Sequence, residues 1–227
     1  MNDRAWDVDQ RRFATALSEN ANLRKQWADM NIDGHDILFE LCNSRLRRSL
    51  PKKKTKTRKT AEQIEQELKE WSERLQEIIQ SFEKLLRRLT DSVDRLHELV
   101  IQVSRTKGNA YVFLKPLWRT WTMDRFADAA SEVLTCYRQE MDTKRRIAWE
   151  VCGDDAKADK KILTLLCTTW KTEAFIGNSG KEFNEICALE VEEGDPGLEV
   201  RRREMEDEMD DFGPTSRRKA VNDTSDW

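Results

Sequence analysis

The chain has 227 residues, of which 37% are charged and 38% hydrophobic, and its formal net charge is -3. This composition is too polar for a protein embedded in a membrane. Four prolines and eight glycines are too few for the many turns of an all-β chain. Long amphipathic helices with charged outer faces, arranged in one or two domains, fit the composition best. The odd count of five cysteines, with no C-x-x-C pair, favours reduced thiols in an intracellular protein.

The first segment, residues 1–48, is predicted to contain two helices. Apolar residues recur at broken helical spacing over residues 7–30. They are Phe13, Leu17, Leu23, Trp27 and Met30. The polar residues and the glycine at 31–34 are typical of a helix end, so a second helix is expected over 36–48, ahead of Pro51.

A basic linker is predicted over residues 49–60. Six of the eight residues at 52–59 are basic, and nothing in that block can be buried. They are Lys52, Lys53, Lys54, Lys56, Arg58 and Lys59. Three interpretations remain open: a nuclear-localisation signal, a patch that contacts phosphates of a nucleic acid, or a merely solvated linker.

The strongest pattern in the chain predicts one long helix over residues 61–107. Thr60 and Gln63 have the spacing of a capping box at its start, and Gly108 follows its end. Apolar residues inside it alternate spacings of four and three, which is typical of a coiled-coil seam. The seam begins with Ile64, Leu68, Trp71, Leu75, Ile78, Phe82, Leu85 and Leu89. Such a seam needs a partner helix, supplied by this chain or by another.

Two tryptophans, Trp118 and Trp121, follow Pro116 in the loop after this helix. One interpretation is that they close the end of a helical bundle. A second is an aromatic docking site for a partner, because tryptophan is common at interface hot spots. A third is a platform on which nucleic-acid bases stack.

Further helices are predicted over residues 124–152 and 156–173, and a short segment with apolar residues follows at 181–191. The fold class expected is therefore all-α: an elongated helical hairpin or coiled coil over 61–191, flanked by short helices. The helix over 124–152 is expected to form the second arm of the hairpin. Residues 192–227 are predicted to be an acidic, disordered tail, since 190–211 contains eleven acidic and three basic residues.

No sequence motif indicates catalysis. The two histidines, His35 and His97, lack the spacing of a zinc site, and neither a phosphate-binding loop nor a nucleophile elbow is present. We therefore expect a protein that is not an enzyme and that has no cofactor and no metal.

Three stretches of the chain carry a resemblance to a known family. Asn22-Leu23-x-x-x-Trp27-x-x-Met30-Asn31-x-x-Gly34 is similar to N-L-x-x-x-W-x-x-L-N-x-x-G. Pro116-Leu117-Trp118-x-Thr120-Trp121-x-x-x-Phe126 is similar to P-L-F-x-T-W-x-x-x-F, and Val133-Leu134-x-x-Tyr137-Arg138-x-Glu140 and Lys144-Arg145-x-x-Ala148-x-Glu150 follow it without a gap. Trp170 with Phe175-Ile176 is the third stretch. Together these stretches resemble the cyclin-dependent kinase 2-interacting protein family.

The resemblance implies a nuclear adaptor, with the cytoplasm as a second location, in DNA replication, the cell cycle and the DNA damage response. It further implies an AAA+ ATPase assembly that matures large ribosomal subunits, in which the family member pairs with a second small helical subunit. Cyclin-dependent kinase and replication factors are further partners that it implies. Nucleic acid is expected to bind only weakly or indirectly, although binding through residues 52–59 is kept as the alternative function.

Large apolar side chains of the seam and of the three stretches are the candidate contacts with partners, and each is also a plausible core residue. They are Trp27, Leu68, Trp71, Leu75, Phe82, Leu85, Trp118, Trp121, Phe126, Tyr137 and Trp170.

Overall fold

The computed structural model describes residues 7–49, 60–153 and 159–193. Within these ranges the chain forms six helices and no strand, which confirms the all-α fold. The helices are α1 (Val8–Ser49), α2 (Ala61–Lys107), α3 (Asn109–Phe113), α4 (Met123–Cys152), α5 (Lys160–Thr172) and α6 (Ser179–Glu193). None of them is long and apolar enough to cross a membrane. The basic block at 52–59 and most of the predicted acidic tail, residues 194–227, lie outside the described residues.

Helix α2 has the bounds that its sequence pattern predicts. The Thr60 hydroxyl accepts a hydrogen bond from the backbone N–H of Gln63, and the Gln63 side chain accepts one from the backbone N–H of Thr60. This reciprocal pair satisfies two N–H groups that the first turn of a helix leaves free. The helix ends at Gly108, whose φ of 87° is a conformation that favours glycine.

Helix α1 corrects the prediction of two short helices. It runs unbroken from Val8 to Ser49, through the 31–34 stretch that was expected to end a helix. Asn31 and Gly34 are both buried within it. A Cβ atom at Gly34 would lie 2.6 Å from Cζ2 of Trp170, so the glycine admits a close approach of α5 and does not end the helix.

The long helices run antiparallel to one another. The start of α1 meets the end of α2, where Lys107 pairs with Asp9, and the end of α1 meets the start of α2, where Arg47 pairs with Glu67. Helix α4 packs along α2 on its other side, which confirms the predicted pairing of these two helices. Helix α1 is thus a full-length partner of α2, and the expectation of only short flanking helices is wrong for this segment.

Helices α5 and α6 together occupy the fourth position of a helical bundle. Both pack mainly against α1 and α4. Trp170 of α5 also reaches α2, where its ring meets that of Phe82 edge to face at 6.1 Å. Helix α5 covers one half of the bundle and α6 covers the other half, with a break at residues 173–178 between them. The result is a four-helix arrangement whose fourth helix is interrupted near the middle.

The seam of α2 is covered within this chain. Most of its apolar residues are buried against α1 and α4, and only Trp71 and Ile78 of the predicted set are half-buried. The buried seam residues are Ile64, Leu68, Leu75, Phe82, Leu85, Leu89, Val93, Leu96, Val100 and Val103. The seam therefore needs no second chain to bury it.

Candidate functional site

A lysine lies at the centre of the bundle with no exposed surface. Lys144 of α4 is 0% exposed, and its Nζ donates hydrogen bonds to Oδ1 of Asn31 at 2.6 Å and to the carbonyl oxygen of Trp170 at 3.3 Å. The ammonium group also lies 4.5 Å from the ring centroid of Trp170 and 5.4 Å from that of Phe82. Cation–π attraction of this kind is strongest where water is excluded.

Two carboxylates offset the buried charge of Lys144. The Nζ atom lies 3.3 Å from Oε1 of Glu173 and 3.6 Å from Oε1 of Glu140. Burial lowers the pKa of Lys144, although both carboxylates act against that shift, and burial raises the pKa of Glu140. Removing Lys144 would leave Glu140 and Glu173 without their cation, which is strongly destabilising.

The break in the fourth helix brings Glu173 into this network. Glu173 follows α5 with a φ of 47°, a left-handed conformation that redirects the chain. Its Oε1 accepts a hydrogen bond of 2.8 Å from the indole Nε1 of Trp27. The indole Nε1 of Trp170 donates to the carbonyl oxygen of Asn31 at 3.3 Å, so α1, α4 and α5 are joined at one level.

The residues that carry the family resemblance meet around Lys144. Trp27, Asn31 and Gly34 come from the first stretch, Tyr137, Glu140 and Lys144 from the second, and Trp170 from the third. The ring centroid of Trp27 lies 5.0 Å from that of Tyr137, edge to face. These residues hold three helices, α1, α4 and α5, in one register.

Most of the candidate partner contacts are core residues. Trp27, Leu68, Leu75, Phe82, Leu85, Phe126, Tyr137 and Trp170 are all buried. Trp71, Trp118 and Trp121 are half-buried. A partner therefore cannot reach most of the predicted set unless the bundle opens.

The two tryptophans of the loop close one end of the bundle. The ring of Trp118 lies 5.2 Å from that of Phe126 and 6.3 Å from that of Phe13. Trp121 lies 5.1 Å from Phe126 on another side. This packing favours the bundle-end interpretation over an aromatic docking site or a platform for bases.

Glu190 of α6 fixes this loop, a role that the sequence pattern did not indicate. Its carboxylate accepts hydrogen bonds from the backbone N–H groups of Arg119 and Thr120, each at 3.0 Å, and from the Thr120 hydroxyl. Burial acts to raise the pKa of Glu190, but these hydrogen bonds outweigh it and lower the pKa. The carboxylate is therefore charged in the folded chain and joins the end of α6 to the loop.

Trp149 is the most exposed aromatic residue of the described ranges. It lies on α4 and is 83% exposed, the highest exposure among the large hydrophobic residues of the described ranges. Ala148 and Val151 belong to the buried face of α4, and residue 149 points away from that face. Trp149 is not among the candidate residues predicted from the sequence, although its position off the apolar stripe of α4 is a signal that indicates it.

A groove of about 410 Å³ lies beside Trp149, between α2 and α4. The side chains that shape it are mainly apolar or uncharged. They include Gln76, Ile79 and Gln80 of α2 with Ala148, Trp149 and Cys152 of α4. Arg145 also lines the groove, and it pairs with Glu83 at 3.0 Å and with Asp142 at 2.9 Å. The other lining residues, which form the floor of the groove, are uncharged.

The rest of the described chain offers little sign of a reactive site. No group of three His, Cys, Asp or Glu residues within 7–49, 60–153 and 159–193 is placed to hold a metal ion. A comparison with models of protein families and a comparison with curated proteins each find no match to this chain. The exposed Trp149 and the groove beside it are therefore taken as the candidate functional site.

Proposed function

We propose that this chain is a non-enzymatic adaptor that binds a helix of a partner protein in the groove between α2 and α4. The observation that carries the proposal is the exposure of Trp149 beside an apolar groove. Tryptophan is the residue most enriched at the centres of protein interfaces, because its burial removes a large apolar area from water. Nothing in the described chain covers this side chain.

The groove suits the apolar face of an amphipathic helix. Its walls are two antiparallel helices, which is the form in which grooves commonly receive a third helix with apolar residues at positions i, i+3, i+4 and i+7. Gln76 and Gln80, one turn apart on α2, offer amide groups to polar side chains at the edge of the partner. Because the floor is uncharged, affinity should come mainly from apolar burial and should depend little on salt.

The finer part of the proposal rests on the family resemblance. We infer a nuclear adaptor of the kind found in the cyclin-dependent kinase 2-interacting protein family, which joins an AAA+ ATPase or replication-checkpoint assembly together with a second small helical subunit. Support comes from the convergence of the three resembling stretches around Lys144, since the shared residues are those that hold the bundle together. The alternative, binding of nucleic acid through residues 52–59, rests on sequence alone.

Affinity purification from nuclease-treated nuclear and cytoplasmic extracts tests this proposal. The full chain and two variants, Trp149→Ala and Phe39→Ala, are tagged and compared by mass spectrometry. Phe39 is the matched control, an exposed aromatic residue of α1 that is 49% exposed. We expect the wild type and Phe39→Ala to recover an AAA+ ATPase with a small helical subunit, and Trp149→Ala to lose both.

Other outcomes would overturn parts of the proposal. Equal recovery by all three chains would remove Trp149 from the binding site. Partners that disappear on nuclease treatment would favour nucleic acid and residues 52–59. Titration of the purified small subunit into the purified chain then establishes whether the two proteins bind each other directly.

A further inference from the structure

Two cysteines from different helices are in contact inside the bundle. Sγ of Cys167 on α5 lies 3.6 Å from Sγ of Cys42 on α1, and both residues are buried, with exposures of 8% and 3%. All five cysteines of the chain are free thiols. A disulfide bond requires the two sulfur atoms to approach by only about 1.5 Å more.

The surroundings of the pair favour one sulfur as the nucleophile. The Cys42 thiol is hydrogen-bonded to Cys167, and this contact lowers the pKa of Cys167. The same contact, together with burial, raises the pKa of Cys42. Cys167 therefore forms the thiolate more readily, and the thiolate is the form that reacts with oxidants.

A small oxidant can reach the pair through local opening of α5. This helix has 13 residues, and only Leu163, Cys167 and Trp170 of it are buried. Elements with few buried apolar residues open at a lower free energy than the whole domain unfolds. Because Cys167 of α5 lies against Cys42, opening of α5 exposes the Cys167 sulfur and uncovers that side of Cys42.

We propose that Cys42 and Cys167 are a site of oxidative modification, at which a peroxide converts the two thiols into a disulfide that links α1 to α5. The Cys167 thiolate attacks one oxygen of hydrogen peroxide and forms a sulfenic acid, with release of hydroxide that takes up a proton to become water. The Cys42 sulfur then attacks the sulfenic sulfur, an Sγ–Sγ bond forms, and the second water leaves with the Cys42 proton. Two thiols lose two electrons and two protons, and one peroxide is reduced to two waters.

The bond would fix the fourth helix to the first. Cys42 and Cys167 are separated by 125 residues of chain, so the disulfide closes a loop that includes α2, α3 and α4. Closing so long a loop restricts the unfolded chain and stabilises the folded one. Local opening of α5, which admits the oxidant, is suppressed once the bond has formed.

Peptide mapping of the full-length chain tests the proposal. The purified, reduced protein is treated with hydrogen peroxide, its remaining thiols are alkylated, and non-reduced digests are analysed by mass spectrometry. We expect a cross-linked peptide that joins Cys42 to Cys167, a loss of two hydrogen atoms from the chain, and an unfolding midpoint in urea that rises and falls back when dithiothreitol is added.

Matched variants separate this pair from the other thiols. Cys136→Ser removes a half-buried cysteine of α4 and should leave the cross-link unchanged, whereas Cys42→Ala and Cys167→Ala should each abolish it. The mapping of the wild-type chain does not depend on whether the variants fold. Oxidation of Cys136 without a Cys42–Cys167 cross-link would overturn the proposal, and so would a dominant cross-link to Cys152 or Cys187. Neither outcome affects the proposed groove at Trp149.

Discussion

Lys144 and Trp149 are little more than one helical turn apart on α4, and they reverse the usual distribution of side chains. The lysine is 0% exposed and the tryptophan is 83% exposed. Around Lys144, two carboxylates, two oxygen acceptors and two aromatic rings offset the cost of burying a charge. Around Trp149, no side chain of the described residues covers the indole and shields it from water.

The two regions differ in whether their side chains are already in contact with other residues of the same chain. The Lys144 network is complete within one chain, so its residues serve the stability of the bundle. Trp149 is exposed beside the groove between α2 and α4, so this surface is accessible to another molecule. Substitutions in the first region should change the free energy of unfolding, and substitutions in the second should change binding.

The largest effect is expected from Lys144→Met, which keeps most of the apolar stem and removes the charge. Glu140 and Glu173 would then lack their cation, and the free energy of unfolding should fall by about 3–5 kcal/mol. Urea denaturation measures it, with the exposed Lys171→Met as control at less than about 0.5 kcal/mol. A loss below about 1 kcal/mol would mean that the carboxylates are not held by Lys144.

Trp149→Ala should separate binding from stability. Because the side chain is 83% exposed, the free energy of unfolding should change by no more than about 0.5 kcal/mol. Loss of a hot-spot tryptophan should weaken the proposed complex with a small helical subunit by at least about 30-fold, which corresponds to about 2 kcal/mol. Calorimetric titration measures the affinity, and an unchanged Kd would place the partner elsewhere.

Gly34→Ala tests the close approach beside the Lys144 network. Helix propensity alone predicts a gain of about 1 kcal/mol from alanine within a helix. The new Cβ would meet Trp170 at 2.6 Å, so we expect instead a loss of about 1–3 kcal/mol. The exposed neighbour Asp33→Ala provides the control for propensity. A gain in stability at Gly34 would contradict the packing of α5 on α1.

Glu190→Gln should show a smaller effect that depends on pH. The folded-state pKa of Glu190 is below its ordinary value, so its carboxylate contributes stability above about pH 4.5 and loses that contribution as the pH falls through the lowered pKa. At pH 7 the variant should be less stable by about 1–2 kcal/mol. The difference should shrink towards about pH 3, whereas the exposed Glu182→Gln should show no such trend.

Asn184→Asp tests the buried charge of Arg24, which has no carboxylate beside it of the kind that Lys144 has in Glu140 and Glu173 among the described residues. Arg24 is 5% exposed and its guanidinium lies 4.8 Å from the ring centroid of Phe183. Among the described residues, its hydrogen-bond partners are the amide oxygens of Asn20 and Asn184, and its Nε has none. The guanidinium is already desolvated, so a carboxylate at the half-buried position 184 should stabilise the bundle by about 1 kcal/mol. The gain should vanish in the double variant with Arg24→Gln, measured by urea denaturation at pH 7. A destabilised single variant would show that desolvation of the carboxylate exceeds the attraction.

Part of the candidate site was predictable from sequence. The half-buried positions of Trp118 and Trp121 fit one of the three interpretations of the loop, and the phase of α4 placed Trp149 off its apolar face. The groove itself was not predictable, because it needs the lateral position of α2 against α4. The clamp of Glu190 on the loop joins residues 70 and 71 positions apart, a distance at which sequence periodicity carries no information.

The sequence by itself determined the all-α fold, the bounds of α2, and the break at Gly108, because capping boxes, heptad spacing and glycine act over a few residues. Only the tertiary structure decided that α1 continues through Gly34 and that α1 and α4 of the same chain cover the apolar seam of α2. In sequence, Asn31 and Gly34 resemble a helix end. In the structure, Asn31 accepts hydrogen bonds from the ammonium group of Lys144 and the indole of Trp170, which lie 113 and 139 residues further along the chain. An asparagine or a glycine can end a helix, or it can lie inside a helix and contact a neighbouring helix closely. Only the position of the neighbouring helix shows which of these two roles the residue has.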